Sequence, residues 1–412
     1  MNTADTPFIE CASRLRQLHG LIAAGKGDSA EADSIRDEMD EPWAQLQRVE
    51  IERLEGLSED LYLYAADRKD REAARRFHAL LLSALQRPVA REDWELLLGA
   101  LRESEGLFPA PEVYYFKARA WDALGDPETA LWFLEKSVEV GAGDPNIRYL
   151  YLTQLAKLRF EQALEQSRRI SKAGDEFPPE LLFKAGEILL LDAERQQRSD
   201  PEKYKVCVET FTKSLERAQR LKKPLPKSMV SGAFILLGLC RKRLGSAEQA
   251  ERFYSESLKE DPENAAALVA RGMLNYGIKT EQAVADFRHA VKLGEKLVWP
   301  YFFLAHYELG AKKYAEALSL CTEAARRTRD PDVLGNVMLW RAIAAFELNG
   351  NAHELRASLW HASSLAPRNP SIQANLQRAK SVVGAGAAGA WDLTDIEEVR
   401  HTAESRFELE LA

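Results

Sequence analysis

A helical pattern returns about every 34 residues through the middle and C-terminal thirds of this chain. It is clearest over residues 233–262, where Phe234, Leu237 and Gly238 share one face of a predicted helix. A second helix follows directly and ends at Pro262. A period of this length is typical of stacked helix pairs, which bury their apolar faces against neighbouring pairs rather than in one closed core. Such stacks generally provide binding surfaces, so the pattern predicts the kind of function but not the partner.

The second helix of each predicted pair carries a stripe of small and apolar residues. The stripes begin at Ala130, Ala163, Cys207, Ala250, Ala283, Ala317 and Leu355, with longer intervals on either side of Cys207. Larger side chains such as Phe211, Tyr254 and Phe287 follow one helical turn later. Steps of four and three stay on one face of a helix, so these stripes are predicted packing faces. Small residues in them allow two helix backbones to approach closely.

These helix-turn-helix units resemble the tetratricopeptide repeat, whose unit is about 34 residues long. The resemblance covers the range 111–367. It implies an all-α fold, a right-handed superhelical solenoid of about seven repeats. One unit departs from the pattern, because Gly186 and Cys207 lie about two helical turns further apart than the corresponding residues Gly238 and Ala250. We expect an extended first helix in that unit.

Periodicity and composition divide the chain into four predicted parts. They are an N-terminal helical capping region (1–110), the solenoid with its closing helix (111–383), a flexible Gly/Ala linker (384–390) and an acidic amphipathic tail (391–412). Repeat arrays need such caps because their end units would otherwise expose an apolar face. Within the cap, the predicted helices are 6–24, 29–54, 57–85 and 91–105.

Charge and cysteine usage narrow the range of partners. The net charge is −8, with −9 in residues 28–60 and −5 in residues 391–412, which leaves a mildly basic remainder. Its basic runs are short, which argues against nucleic-acid binding. No apolar run is long enough for a membrane span. The four cysteines lie far apart among apolar residues and are predicted core residues, and the N-terminus has no signal-like pattern, so we expect a cytoplasmic protein.

No motif indicates catalysis or a cofactor. The run GAGAAG at 384–389 matches the spacing of a dinucleotide fingerprint, but a predicted helix precedes it and too little chain follows it. That context lacks the required strand-helix-strand unit, so we interpret the run as a linker. His353 and His361 lie about two turns apart without further ligands and are interpreted as a surface pair. We predict no cofactor, no metal and no enzymatic activity.

The resemblance implies that the first helices of the pairs line a concave groove. The residues one step off the packing stripes, predicted to face the groove and bind a partner, are Tyr115, Arg119, Leu152, Ile235, Leu239, Phe302, His306 and Trp340. Arg243 is expected at its rim. An apolar and aromatic set of this kind favours a protein-binding site. Two other interpretations remain open, a register that is wrong by one residue and shielding of these side chains by neighbouring helices.

The predicted function is a non-catalytic adaptor or scaffold that binds a peptide or helix of another protein in the groove. Ile396 and Val399 share a helical face beside acidic residues, so the tail is a candidate occupant of the groove. One alternative is a self-associating structural protein whose acidic ends dock on the array. The other is an enzyme or regulator with an unrecognised site in residues 1–110.

Overall fold

The structure is a computed structural model. The residues that it describes form helices joined by turns and short loops. It describes residues 7–65, 85, 88–103, 110–140, 145–195, 200–221, 225–294, 296–381 and 391–411. The chain forms two compact units, Met1–Ile170 and Ser171–Ala412.

The first unit packs the non-periodic N-terminal helices against the first helix pair. The helices as far as Ala173 are α1 (Pro7–Ala23), α2 (Ala30–Trp43), α3 (Arg48–Ala65), α4 (Trp94–Glu103), α5 (Ala110–Ala123), α6 (Pro127–Glu139), α7 (Pro145–Leu158) and α8 (Phe160–Ala173). Phe8 stacks on Trp121 of α5 with ring centroids 5.8 Å apart. Arg16 reaches the buried Asp126 carboxylate at 3.2 Å and the hydroxyl of Thr129. Residues outside the repeat pattern therefore share one core with the first pair.

The predicted helix over residues 29–54 is wrong as a single helix. Ser29 caps the start of α2 by accepting the N–H of Ala32, as a helix-initiating serine does. Pro42 then occupies the last turn of α2, and α3 begins at Arg48. Proline lacks an N–H and disfavours helix continuation, which explains the break. The predicted helix over 57–85 is described only to residue 65, as the end of α3, and residues 66–84 lie outside the described part.

The second unit is a series of helix-turn-helix pairs followed by two further helices. Its helices are α9 (Pro179–Arg195), α10 (Pro201–Arg220), α11 (Lys227–Arg243), α12 (Ala247–Glu260), α13 (Ala265–Asn275), α14 (Thr280–Lys292), α15 (Trp299–Gly310), α16 (Tyr314–Arg327), α17 (Pro331–Asn349), α18 (Ala352–Leu365), α19 (Pro370–Arg378) and α20 (Ile396–Leu411). Each odd-numbered helix from α9 to α17 packs on the one that follows it. Asp200, Asn264 and Asp330 cap helices in this series by accepting main-chain N–H groups.

A glycine meets an aromatic ring within three of these pairs. A Cβ atom on Gly272 would lie 2.6 Å from Cε1 of Phe287, and one on Gly238 would overlap the ring of Tyr254. Gly186 and Phe211 make the same contact, although the sequence between them is longer than that between Gly238 and Tyr254. Part of this insertion lengthens α10 to 20 residues. Other inserted residues fall within 196–199, outside the described part. The insertion was expected to extend only the first helix of this pair, but part of it lies in the second helix, α10.

The predicted packing stripes are confirmed. The buried stripe residues are Ala130, Ala163, Cys207, Ala250, Ala283, Ala317 and Leu355. All four cysteines are buried free thiols, as predicted. The chain therefore stacks its helix pairs through small residues and close ring contacts, as its period indicated.

The C-terminal helix belongs to the core of the second unit. Val399, Ala403 and Phe407 of α20 are buried in the same cluster as residues of α13, α15 and α17. The predicted linker, 384–390, lies outside the described residues. Among the helices described, none is long and apolar enough to cross a membrane.

Candidate functional site

The structure buries most of the side chains that were predicted to face an open groove. Tyr115 and Arg119, in the first unit, are partly exposed: Tyr115 lies against the ring of Phe116, and the Arg119 guanidinium lies 5.9 Å from the ring centroid of Trp94. The expectation of exposure is wrong for Leu152, Ile235, Leu239, Phe302, His306 and Trp340, which are all buried. Shielding by neighbouring helices was one of the open interpretations, and the bonds of His306 and Trp340 to the main chain at Thr394 and Leu393 support it at those two positions.

Three of the buried residues lie together in the second unit, on α15 and α17. The rings of Phe302 and Trp340 have centroids 4.7 Å apart, and those of His306 and Trp340 are 5.2 Å apart. Residues 391–411, which we call the C-terminal segment, cover this cluster. We call the surface beneath the segment, formed by α13, α15, α17 and α19, the first-helix groove.

The segment begins with a non-helical stretch, residues 391–394, which we call the extended stretch and whose main chain is held by side chains of the groove. Trp340 donates its indole N–H to the carbonyl oxygen of Leu393 over 2.9 Å. The amide of Asn375 donates to the carbonyl oxygen of Asp392 at 2.5 Å and accepts the N–H of the same residue at 3.1 Å. These bonds involve main-chain groups that every residue except proline possesses, so they hold a main chain without requiring particular side chains.

His306 sits between the extended stretch and the interior. Its Nε2 lies 3.1 Å from the carbonyl oxygen of Thr394, and its Nδ1 lies 2.7 Å from the hydroxyl of Tyr276. A carbonyl only accepts, so Nε2 carries the hydrogen and Nδ1 accepts from Tyr276. Burial lowers the pKa of His306, against the opposing effect of the Thr394 and Leu393 main chain, and raises the pKa of Tyr276. Both groups are therefore neutral and fully bonded at neutral pH.

Side chains of the extended stretch are also recognised. The Thr394 hydroxyl donates to Oδ1 of Asn336 at 3.2 Å, and Thr394 adopts a φ of 71°. Asp392 accepts from the hydroxyl of Ser371 at 2.8 Å. Trp391 donates its indole N–H to Glu347 at 2.7 Å. The stretch is thus fixed at several consecutive residues before the helix begins.

The helical part of the segment packs across three first helices. α20 contacts α13, α15 and α17, and its buried residues Val399, Ala403 and Phe407 are spaced four apart on one face. Arg406 pairs with Asp330 and Asp332 at the start of α17, at 2.5 and 2.8 Å. The contact is close at the turn after α13, where a Cβ atom on Gly277 would lie 2.8 Å from Cγ2 of Ile396.

Sequence reasoning missed two amide groups that hold the extended stretch, Asn375 through its main chain and Asn336 through the Thr394 hydroxyl. Asn336 lies one turn before Trp340 on the same helix, and Asn375 belongs to the predicted closing helix. An asparagine inside an apolar helical run is a signal, because a buried amide needs partners. Asn375 is fully buried and Asn336 nearly so.

Arg243 was expected at the rim of the groove, and this expectation is wrong. Its guanidinium pairs with the buried Glu194 carboxylate through two bonds, 2.9 and 3.0 Å long, and Tyr204 donates to the same carboxylate. This pair ties α11 to α9 within the second unit. The role of Arg243 is structural, since its guanidinium is already committed to both oxygens of that carboxylate.

Within the described residues, no group of three His, Cys, Asp or Glu side chains is arranged to hold a metal ion. The first-helix groove can bind a ligand, because its floor is aromatic and its amide and indole groups are directed at a main chain. It is suited to a peptide, because it combines apolar burial with main-chain hydrogen bonds.

The helix pairs define a tetratricopeptide-like, all-α fold, whose stacked first helices form the groove. No protein-family model matches the sequence, and no curated protein matches it.

Solved structures with a similar arrangement include a tetratricopeptide repeat protein from Parabacteroides merdae, at 15% identity and a TM-score of 0.44, over 63% of this chain and 97% of that one. PilF of Pseudomonas aeruginosa is similar over 53% of this chain and 91% of its own, at 16% identity and a TM-score of 0.43. The apo quorum sensor NprR of B. thuringiensis is similar over 73% and 89%, at 13% identity and a TM-score of 0.42.

Proposed function

We propose that this protein is a non-catalytic adaptor that binds a segment of another protein in the first-helix groove. The observation that carries the proposal is the set of main-chain hydrogen bonds from Asn375, Trp340 and His306 to an extended stretch. Groups placed to bind a main chain hold any ligand of that conformation, including one supplied by another protein. The C-terminal segment is then an intramolecular occupant that a partner replaces.

Phe302, His306 and Trp340 are the partner-binding residues of this proposal in the second unit. Burial of aromatic side chains at the centre of an interface supplies most of the binding free energy, and polar groups around them set the orientation. In the first unit, the partly exposed Tyr115 and Arg119 remain proposed contact residues. Leu152, Ile235 and Leu239 are buried.

The test compares two full-length variants as baits in a cell lysate. In the first, Val399→Asp with Phe407→Asp places charges on the buried face of α20, which releases the C-terminal segment because an unpaired buried charge is strongly unfavourable. The second adds Asn375→Leu, which removes both amide bonds to the ligand main chain. We expect proteins captured by the first variant to be lost with the second.

A cross-linker placed in the groove identifies which captured protein occupies it. Circular dichroism of both variants provides the folding control. Capture of the same proteins by both variants, or no capture by either, would contradict the proposed groove function and direct attention to self-association and to residues 1–110.

A further inference from the structure

The C-terminal segment has two recognised parts in direct succession. The first is the extended stretch at 391–394, and the second is α20, which starts at Ile396. No gap separates them, because the carbonyl of Asp395 already accepts the N–H of Val399 in the first turn of the helix. The groove therefore fits a ligand whose main chain changes from non-helical to helical within one or two residues.

We propose that the partner segment has this same bipartite chemistry, a non-helical stretch bound through its main chain and followed at once by an amphipathic helix. This inference rests on the proposed function and names the ligand class of the first-helix groove. The helix carries apolar residues at the positions of Val399, Ala403 and Phe407, and a basic residue at the position of Arg406.

The extended part contributes affinity mainly through its main chain. Asn375 binds both the N–H and the carbonyl of one residue, which requires an extended ligand at that point and excludes proline there. The carbonyl oxygens of the next two residues, Leu393 and Thr394, are bound by Trp340 and His306. A hydroxyl two residues after the amide-bound position is favoured, since Thr394 bonds to Asn336.

The helical part of the ligand contributes an apolar face and a positive charge. The side chains of Ala403 and Phe407 lie one turn apart on the buried face, so the helix must present its apolar residues every four positions. Arg406 meets two carboxylates, Asp330 and Asp332, at the N-terminal end of α17. A ligand with an acidic residue at this position would be repelled.

The experiment offers the segment as a separate molecule. A fluorescent peptide with the sequence of residues 391–411 is titrated against the full-length Val399→Asp, Phe407→Asp protein, and binding is followed by fluorescence anisotropy. We expect saturable binding that weakens by about tenfold or more when Asn375→Leu is added, since two hydrogen bonds are lost. Asn275→Leu is the matched control, because Asn275 is a buried asparagine whose amide bonds to Glu251 instead of the segment.

Variants of the peptide test the two parts separately. Asp392→Pro in the peptide should weaken binding through the extended part, because proline cannot donate to Asn375, and Arg406→Glu should weaken it through the helical part. Equal binding of a scrambled peptide, or no saturable binding to a folded protein, would overturn the inference. If the double-aspartate protein does not fold, a protease site inserted within 384–390 allows the segment to be cut in the folded wild-type chain and exchanged for the labelled peptide.

The outcome for the ligand class is separable from the outcome for the adaptor function. Proteins captured through Asn375 but not displaced by the peptide would leave the adaptor function standing and refute the bipartite ligand. Peptide binding without Asn375-dependent capture would support the ligand chemistry and contradict the adaptor function. Binding of the segment of one copy to the groove of another, seen as a rise in mass with concentration, would assign the segment to self-association and overturn the partner proposal.

Discussion

The indole nitrogen of Trp340 lies 2.9 Å from the main-chain carbonyl oxygen of Leu393, 53 residues further along the chain. This hydrogen bond joins the floor of the first-helix groove to the extended stretch that lies in it. It involves no side chain of Leu393, so it holds the position of the main chain rather than the identity of the residue. Its loss should therefore affect occupancy of the groove more than the helices that form it.

Replacing Trp340 by Phe should increase opening of the C-terminal segment by about tenfold or more, because a buried carbonyl then loses its donor. Hydrogen-deuterium exchange of residues 391–411 measures this opening. Trp360→Phe is the matched control, since Trp360 is 68% exposed on α18. Unchanged protection in the Trp340→Phe protein would contradict the importance of this bond.

Replacing either of two glycines on α11 by alanine should change the free energy of unfolding, but in opposite directions. Gly238→Ala forces a methyl group into the ring of Tyr254 and should lower the free energy of unfolding by about 1–3 kcal/mol. Gly232 has only Cζ of Phe183 nearby, at 3.7 Å, so Gly232→Ala should raise it by up to about 1 kcal/mol through helix propensity. Urea unfolding curves of the two variants measure both effects, and equal changes would refute the close packing at Gly238.

Breaking the buried ion pair in the second unit should be strongly destabilising. Arg243→Met leaves the Glu194 carboxylate buried without its cation and should cost about 3–5 kcal/mol. Lys205→Met, which removes an exposed pair with Glu202, should cost about 0–1 kcal/mol. Thermal unfolding of the two variants provides the comparison. Similar stabilities would show that the Arg243 pair is not isolated from water.

The stability of the protein should fall on mild acidification, partly through His306. Burial lowers the pKa of His306 from its ordinary value of 6.5, so the unfolded chain binds a proton at a higher pH than the native chain does. The contribution of His306 therefore leaves the free energy of unfolding unchanged above about pH 6.5 and lowers it as the pH falls below that value.

His306→Gln should reduce this loss of stability without abolishing it, since the pKa of His19 is lowered by burial as well. Unfolding midpoints at about pH 7.5 and about pH 5.5 measure the difference. The same pH dependence in His306→Gln and in the wild type would contradict a neutral, buried His306.

Much of the fold was predictable because its determinants are local. Ser29 and Pro262 mark helix ends through capping and proline chemistry, and the stripe through Ala250 and Tyr254 repeats at helical spacing. The break between α2 and α3 was not predicted, because an acidic amphipathic run continues through Pro42. Periodicity alone does not show where a helix ends when its polar pattern persists.

The candidate site was predictable only in part. Phe302, His306 and Trp340 were placed together by the repeat spacing, and the structure brings them into one cluster. Their burial was not predicted, because the groups that cover them lie far along the chain, with a separation of 88 residues between His306 and Thr394. Asn375 was missed for the same reason, since its partner Asp392 lies beyond the predicted linker.

Local patterns in the chain are enough to specify an array of helix pairs, because apolar period, small residues at helix contacts and capping residues act within one or two turns of each other. They do not specify that the first-helix groove holds the C-terminal segment. That pairing depends on contacts between distant residues such as Trp340 and Leu393, and on the burial of Val399 and Phe407 against three first helices. The sequence shows which side of a helix is apolar, whereas what covers that side depends on the three-dimensional path of the whole chain.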